Sequence, residues 1–228
     1  MMQPLLFCLL LFTVCYAEPQ DLTDKVFTFP LESNTAHVKL IGVREQNFKT
    51  MTVCLRFFSD LSRSQSVFSF ATPSCINGFG LYTPRSGEYG VDTGNKAVFF
   101  WGLPGKLSDW NSLCGTWDTG TGLAQLWVNG QPSSRKATVS WVSPVGTPSI
   151  TLGQEQDSYG GGFDIQQSFV GHLTDVHMWD HVLSPCEIQL YMSQLSFTPG
   201  NVLNWQALEF TTHGQVAVEK KQTVLCYS

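Results

Sequence analysis

Charge is scarce in this chain: Asp, Glu, Lys and Arg together make up 14% of 228 residues. Basic residues are the rarer kind, 13 against 18 acids, and stand side by side only at Arg135-Lys136 and Lys220-Lys221. Such doublets cannot neutralise a run of phosphates, which excludes nucleic acid as an expected partner. Past residue 17 no apolar stretch approaches the roughly 20 residues of a membrane span. Cys-x-x-Cys is missing, so a zinc ribbon or dithiol redox site has no basis. Gly-x-Ser-x-Gly, His-Glu-x-x-His and a Gly-Lys-Ser/Thr phosphate loop are missing too. Without an Asn-x-Ser/Thr sequon, N-glycosylation is not expected.

The opening stretch "MMQPLLFCLLLFTVCYA" carries no charge and is apolar from Leu5 to Val14. It is too short to span a bilayer and ends in small residues at Cys15 and Ala17. That pattern predicts a secretory signal peptide over 1–17 and an extracellular protein with a single domain over 18–228. Net charge stays at −5, because the leader holds no charged residue. Outside the leader stand Cys54, Cys75, Cys114, Cys186 and Cys226. In an oxidising compartment some pair, and the odd count leaves at least one over; spacing does not say which.

Short runs rich in β-branched and aromatic residues dominate the remainder. "KTMTVCLRFF", "QSVFSFAT", "KAVFFWG", "GLAQLWVNGQP" and "SFVGHLTDVHMW" are strands cut by Gly, Pro, Asn or Ser. Asn129-Gly130 marks a tight hairpin. The spacing predicts an all-β, two-sheet antiparallel sandwich of jelly-roll type. One helix is expected in "SPCEIQLYMSQL", where Ser184 caps, Pro185 takes the first helical position and Glu187 completes a capping box. Ile188, Tyr191, Met192 and Leu195 would form its apolar face against a sheet.

One loop breaks the pattern. "GQEQDSYGGGFD", residues 153–164, gathers Glu155, Asp157 and Asp164 around the glycines 160–162, with almost no hydrocarbon to bury. Together with Gln154, Gln156 and Gln167 it offers hard oxygen donors. Calcium takes about six to eight of these at roughly 2.3–2.6 Å. The spacing is not that of an EF-hand loop. By composition alone, a solvated surface loop is as good a reading as a metal site.

Two competing chemistries fail on spacing. Glu155 and Asp157 would share a strand face, about 6.6 Å apart along the chain. A Glu-x-Asp-x-x-Glu glycosidase array needs a third acid, but Tyr159 and Gly160 occupy its place. No enzymatic activity is therefore expected. His172, His177 and His181 could suggest zinc, but 172 and 177 differ in strand parity and should point to opposite faces. They read as structural histidines.

The loop, read with its neighbours, resembles a known family. "LGQEQDSYGG" from Leu152 to Gly161, "SFVG" and "MWDHVLSP", "CGTWDT" from Cys114 to Thr119, and "NVLNWQAL" from Asn201 to Leu208 are similar to pentraxin sequences. The likeness runs from about Lys25 to about Val218. It implies a lectin-like jelly roll with one helix, assembled into a homo-oligomeric ring, usually a pentamer. One face of each subunit would hold a pair of calcium ions binding phosphate-bearing ligands (phosphocholine or phosphoethanolamine) or sugars. The helix face would engage effector proteins such as complement, as in innate immunity and the acute phase. Residue by residue, the resemblance assigns Glu155, Asp157, Asp164, Gln167 and Asn77 as side-chain ligands and Gln156 through its carbonyl. Tyr82 becomes an aromatic wall for the ligand. Cys54 and Cys114 match the family disulfide, whose 60-residue separation would constrain the unfolded chain by roughly 4 kcal/mol.

Three positions depart from the pattern. Ser112 replaces a signature His. Ile76 replaces the Asp that precedes Asn77, removing a charged ligand. Lys96-Ala97 stands where choline-binding relatives place a glutamate. The resemblance therefore carries an alternative: a ring-forming interaction protein whose calcium site is weakened and whose binding is calcium-independent.

Overall fold

The computed structural model describes residues 18–138 and 143–222. The expected signal peptide over 1–17 and Cys226 lie outside those residues. In chain order the elements are β1 (Lys25–Phe29), β2 (His37–Leu40), β3 (Thr50–Phe58), β4 (Gln65–Thr72), β5 (Cys75–Arg85) and β6 (Glu88–Thr93). Then come β7 (Lys96–Trp101), β8 (Trp110–Asp118), β9 (Leu123–Val128), β10 (Gln131–Pro132), β11 (Lys136–Ala137) and β12 (Ser149–Leu152). The described chain closes with β13 (Gly171–Trp179), α1 (Pro185–Met192), β14 (Phe210–His213) and β15 (Ala217–Lys220).

These strands make two antiparallel sheets. One runs β10-β9-β8-β3-β13-β1-β15, with β11 also on β9; the other runs β14-β2-β12-β4-β5-β6-β7. Their inner faces bury Phe27, Val53, Leu55, Phe68, Phe70, Phe79, Leu81, Val91 and Trp117. Each such side chain contributes about 1.5–3 kcal/mol on leaving water, so the sandwich needs no metal to close. β9 turns into β10 at Asn129 (φ 48°) and Gly130 (φ 85°), the left-handed pair that a tight hairpin requires.

Central strands are buried on both sides because each sheet is also covered from outside. On β3 and β8, Cys54 and Cys114 form the disulfide across the ladder, with Cα atoms 4.1 Å apart. Over it, Ile188 and Tyr191 of α1 pack with Trp127, Trp179 and Leu183. The capping box is present, with Ser184 and Glu187 satisfying each other's backbone N–H. Arg56, only 6% exposed, donates to the Tyr191 carbonyl at 2.6 Å and the Met192 carbonyl at 3.4 Å, and pairs with Asp175 at 2.9 Å. A strand cation thereby satisfies the last carbonyls of the helix, where cations are favoured. Cys75 is buried and Cys186 exposed, both as free thiols.

Two expectations need correction. Leu195 is not on the helical face: α1 ends at Met192, Gln194 turns left-handed at φ 55°, and Leu195 is 58% exposed. His172 and His177 do not point to opposite faces. A bulge in β13, with Asp175 at φ 53°, adds one residue between them. Their partners on β3 are then Phe58 and Cys54, an even separation, so both face the helix side. They still share no ligand. His172 meets Thr28 Oγ1 at 3.0 Å, whereas His177 sits under Tyr191 and Phe197.

His177 is almost fully buried, and its Nδ1 accepts from the Gly200 N–H at 3.2 Å. Burial first, and the Arg56 charge second, push its pKa down from 6.5 to about 4. The neutral ring therefore adds stability above pH 6.5, and this is lost as pH falls toward 4. His177→Phe keeps the ring but cannot be protonated. The variant should be less stable at pH 8, where the Gly200 donor loses its acceptor, and its deficit should shrink steadily between pH 6.5 and 4. Denaturation curves across that range check it; parallel pH profiles would refute the assignment.

Candidate metal centre

The outer face of the second sheet carries the acidic loop. Four residues in extended alternation build it: Gln154 and Gln156 turn inward, while Glu155 and Asp157 turn out. Gln156 is fully buried, and its Nε2 donates to Ser69 O at 3.2 Å, Ser69 Oγ at 3.2 Å and Ser149 O at 3.1 Å. Its Oε1 accepts from the Gly160 N–H at 3.0 Å, drawing the loop back on itself at a residue with φ 80°. Gln154 is fixed likewise, donating to the carbonyls of Ser33 and Ala36 at 2.6 and 2.9 Å. The glutamines that look like ligand donors in sequence are, by their side chains, the pins of the loop. The Gln156 carbonyl enters no hydrogen bond among the described residues, which leaves it available as an oxygen donor.

Glu155 and Asp157 project into an open pocket of about 230 Å³, lined also by Ser64, Ser66, Asn77, Tyr82, Asp92 and Gln167. Of the expected ligand residues, Asn77, Tyr82, Glu155, Asp157 and Gln167 are brought together here. Asn77 is held by its backbone, donating to Asn95 Oδ1 at 2.9 Å and accepting from the Asn95 N–H at 2.9 Å. Asp164 lies outside the lining. It caps the short 3-10 turn Ile165–Gln167, accepting from the Gln166 N–H at 3.0 Å, and that turn presents Gln167. Arg63 steadies the same segment through the carbonyl of Ser168 at 2.7 Å. Ile76 is 37% exposed and outside the lining, so it neither ligates nor packs into the core.

Asp92, which the sequence reading passed over, and the expected Tyr82 complete the floor. Asp92 of β6 lies across Gly80 of β5, where a Cβ would meet its Oδ2 at 3.1 Å. Tyr82 of β5 lies across Gly90 of β6, where a Cβ would run into the ring. Phe99 of β7 closes the far side, edge-on to Tyr82 at 6.1 Å. Ala97 pairs with Asp92 across the ladder and presents no carboxylate.

The electrostatics call for a cation. Burial raises the Glu155 pKa to about 7, and the charges of Asp157, Asp92 and Asp164 add to the rise. Burial alone lifts Asp92 to about 7, while burial first, and the charges of Asp92, Glu155 and Glu88 after it, hold the Tyr82 hydroxyl well above its usual range. Glu155 Oε2 and Gln167 Oε1 are buried without a hydrogen-bond partner among the described residues. Orphaned buried oxygens carry a desolvation cost of about 1–3 kcal/mol each, which a bound cation would relieve. Among the described residues no three His, Cys, Asp or Glu side chains converge as a ready metal cluster. The donor set is instead carboxylate plus amide oxygen, which suits calcium and not zinc. No helix of the described residues is long and apolar enough to cross a membrane.

Comparison with known proteins agrees with this architecture. The model of the pentaxin (pentraxin) family matches residues 25–220. Serum amyloid P-component of Mus musculus is 42% identical over 96% of this chain and 99% of its own. C-reactive protein of Rattus norvegicus is 40% identical over 96% of this chain and 95% of its own. Both are recognition proteins and not enzymes, in keeping with the failed glycosidase spacing. A heptameric SAP-like pentraxin from Limulus polyphemus shares the fold with a TM-score of 0.78 at 24% identity, covering 87% of this chain and 95% of that one. Two sheets, one capped helix, the Cys54–Cys114 bond and full-length similarity place the chain in the pentaxin family.

Proposed function

We propose that this protein is a secreted, calcium-dependent recognition protein of innate defence, binding phosphate-bearing or carbohydrate ligands on the face opposite its helix. The observation that carries the reading is the pocket where the outward pair Glu155 and Asp157 meets Asn77 and Gln167, with two buried oxygens left unpaired. Asn77, Glu155, Asp157, Gln167 and the Gln156 carbonyl would hold the metal, with Asp164 recruited from its capping role. Bound calcium would supply positive charge for phosphate or hydroxyl oxygens of the ligand. Tyr82 and Phe99 would flank whatever that group carries. The calcium pair per subunit, the acute-phase role and complement engagement on the α1 side follow from the family resemblance.

Ile76 supports a second reading, in which the site is weakened and binding is calcium-independent. Retention on an immobilised phosphoethanolamine or phosphocholine column, followed by a chelator wash, separates the two. The first reading expects elution by chelator; retention through the wash favours the second.

The loop should also report on the metal. Its acids repel one another and its glycines carry high chain entropy, so calcium should protect residues 153–164 from limited proteolysis. Glu155→Gln with Asp157→Asn should be cleaved alike with calcium and with chelator, at a rate near that of metal-free wild type. Equal resistance of wild type in both conditions would argue against a metal role.

A homo-oligomeric ring is part of the same proposal, supported by family membership and by the heptameric relative. Closed rings are built from repeated heterologous contacts. Light scattering of the secreted protein should return a single mass several times that of the subunit, and a monomer mass at physiological salt would overturn the ring.

A further inference from the structure

Asp92 is the one pocket carboxylate that does not come from the acidic loop. It rises from the sheet floor on β6, opposite Glu155 and Asp157, and lies over Gly80. Among the described residues it has neither a salt-bridge nor a hydrogen-bond partner, and Ala97 beside it on β7 offers none. A partly buried carboxylate left unpaired carries a cost, and such groups are ordinarily matched by a cation. The same pocket holds Glu155, whose Oε2 is buried and unpartnered among the described residues.

We infer that Asp92 is a member of the calcium site, supplying from β6 the negative charge that Ile76 does not supply from β5. The inference rests on the calcium reading proposed above. Asp92 does not converge with Glu155 and Asp157 into a tight triad, so its contribution is charge across the pocket or ligation through a water. Either way it raises the count of carboxylates lining the pocket from two to three. Calcium affinity follows ligand charge, and two opposed charges a few ångströms apart in a partly dry pocket interact far more strongly than in water. Gly80 lets the carboxylate lie close to the sheet: a Cβ there would meet Asp92 Oδ2 at 3.1 Å and its Cβ at 3.3 Å, and the side chain would have to shift.

The role predicts effects of opposite sign with and without metal, which a purely structural residue would not give. In chelator, Asp92→Asn removes repulsion and should leave the thermal midpoint unchanged or higher. In calcium titrations followed by calorimetry, the same variant should bind about tenfold more weakly. Ile76→Asp should tighten calcium binding in wild type. Combined with Asp92→Asn, it should restore affinity to near that of wild type. Glu155→Gln serves as the control that abolishes or severely weakens binding. If wild type binds calcium and Glu155→Gln does not, yet folded Asp92→Asn binds as wild type does, the inference about Asp92 falls alone. If that variant instead loses only retention on phosphoethanolamine, Asp92 contacts the ligand and not the metal, which also overturns the inference. Should wild type fail to bind calcium at all, the proposed function falls with it.

Discussion

The pocket depends on one buried side chain. Gln156 fills the space over β4 and spends its amide on Ser69, Ser149 and Gly160, leaving no polar atom of that amide unpaired. Because it points inward, its neighbours Glu155 and Asp157 must point outward, since successive residues of an extended chain alternate. An otherwise glycine-rich loop thus acquires a fixed direction without any hydrophobic anchor. Replacing that amide by a hydrocarbon would leave the Gly160 N–H and two carbonyls short of partners in a dry place, a larger loss than the bonds themselves.

The sandwich separates two tasks. On one outer face the disulfide, Trp127, Trp179 and α1 form a small second core sealed by Arg56. On the other, Asn77, Glu155 and Asp157 gather over β4, β5 and β6. The close-packed aromatic layer of Phe68, Phe70, Phe79 and Trp117 lies between them.

What was legible in the sequence was what local rules decide. β4 occupies the eight residues of "QSVFSFAT", and the Ser184–Glu187 box starts α1 where capping chemistry puts it. The acidic loop announced itself by composition, although the roles of its glutamines did not, because inward and outward amides look alike in a string. Parity failed at His172 and His177 because one inserted residue at Asp175 reverses every side chain beyond it. Helical spacing overran at Leu195 because the stop comes from Gln194 in a left-handed conformation and not from a glycine. Asp92 was missed for a different reason: in "EYGVDT" it is one of two acids in a short strand with no motif around it, and its meaning lies in Gly80 on another strand.

The glycines opposite Tyr82 and Asp92 give the recognition face an unusual kind of adjustability. Tyr82 and Asp92 lie close over the sheet because no side chain stands at Gly90 or Gly80. A methyl at Gly80 would press on the Asp92 carboxylate and one at Gly90 would displace the Tyr82 ring, so either would reshape the pocket lining from beneath. For the proposed ligands, selectivity would then shift in single mutational steps, each changing the shape of the pocket lining and none of them requiring a new fold.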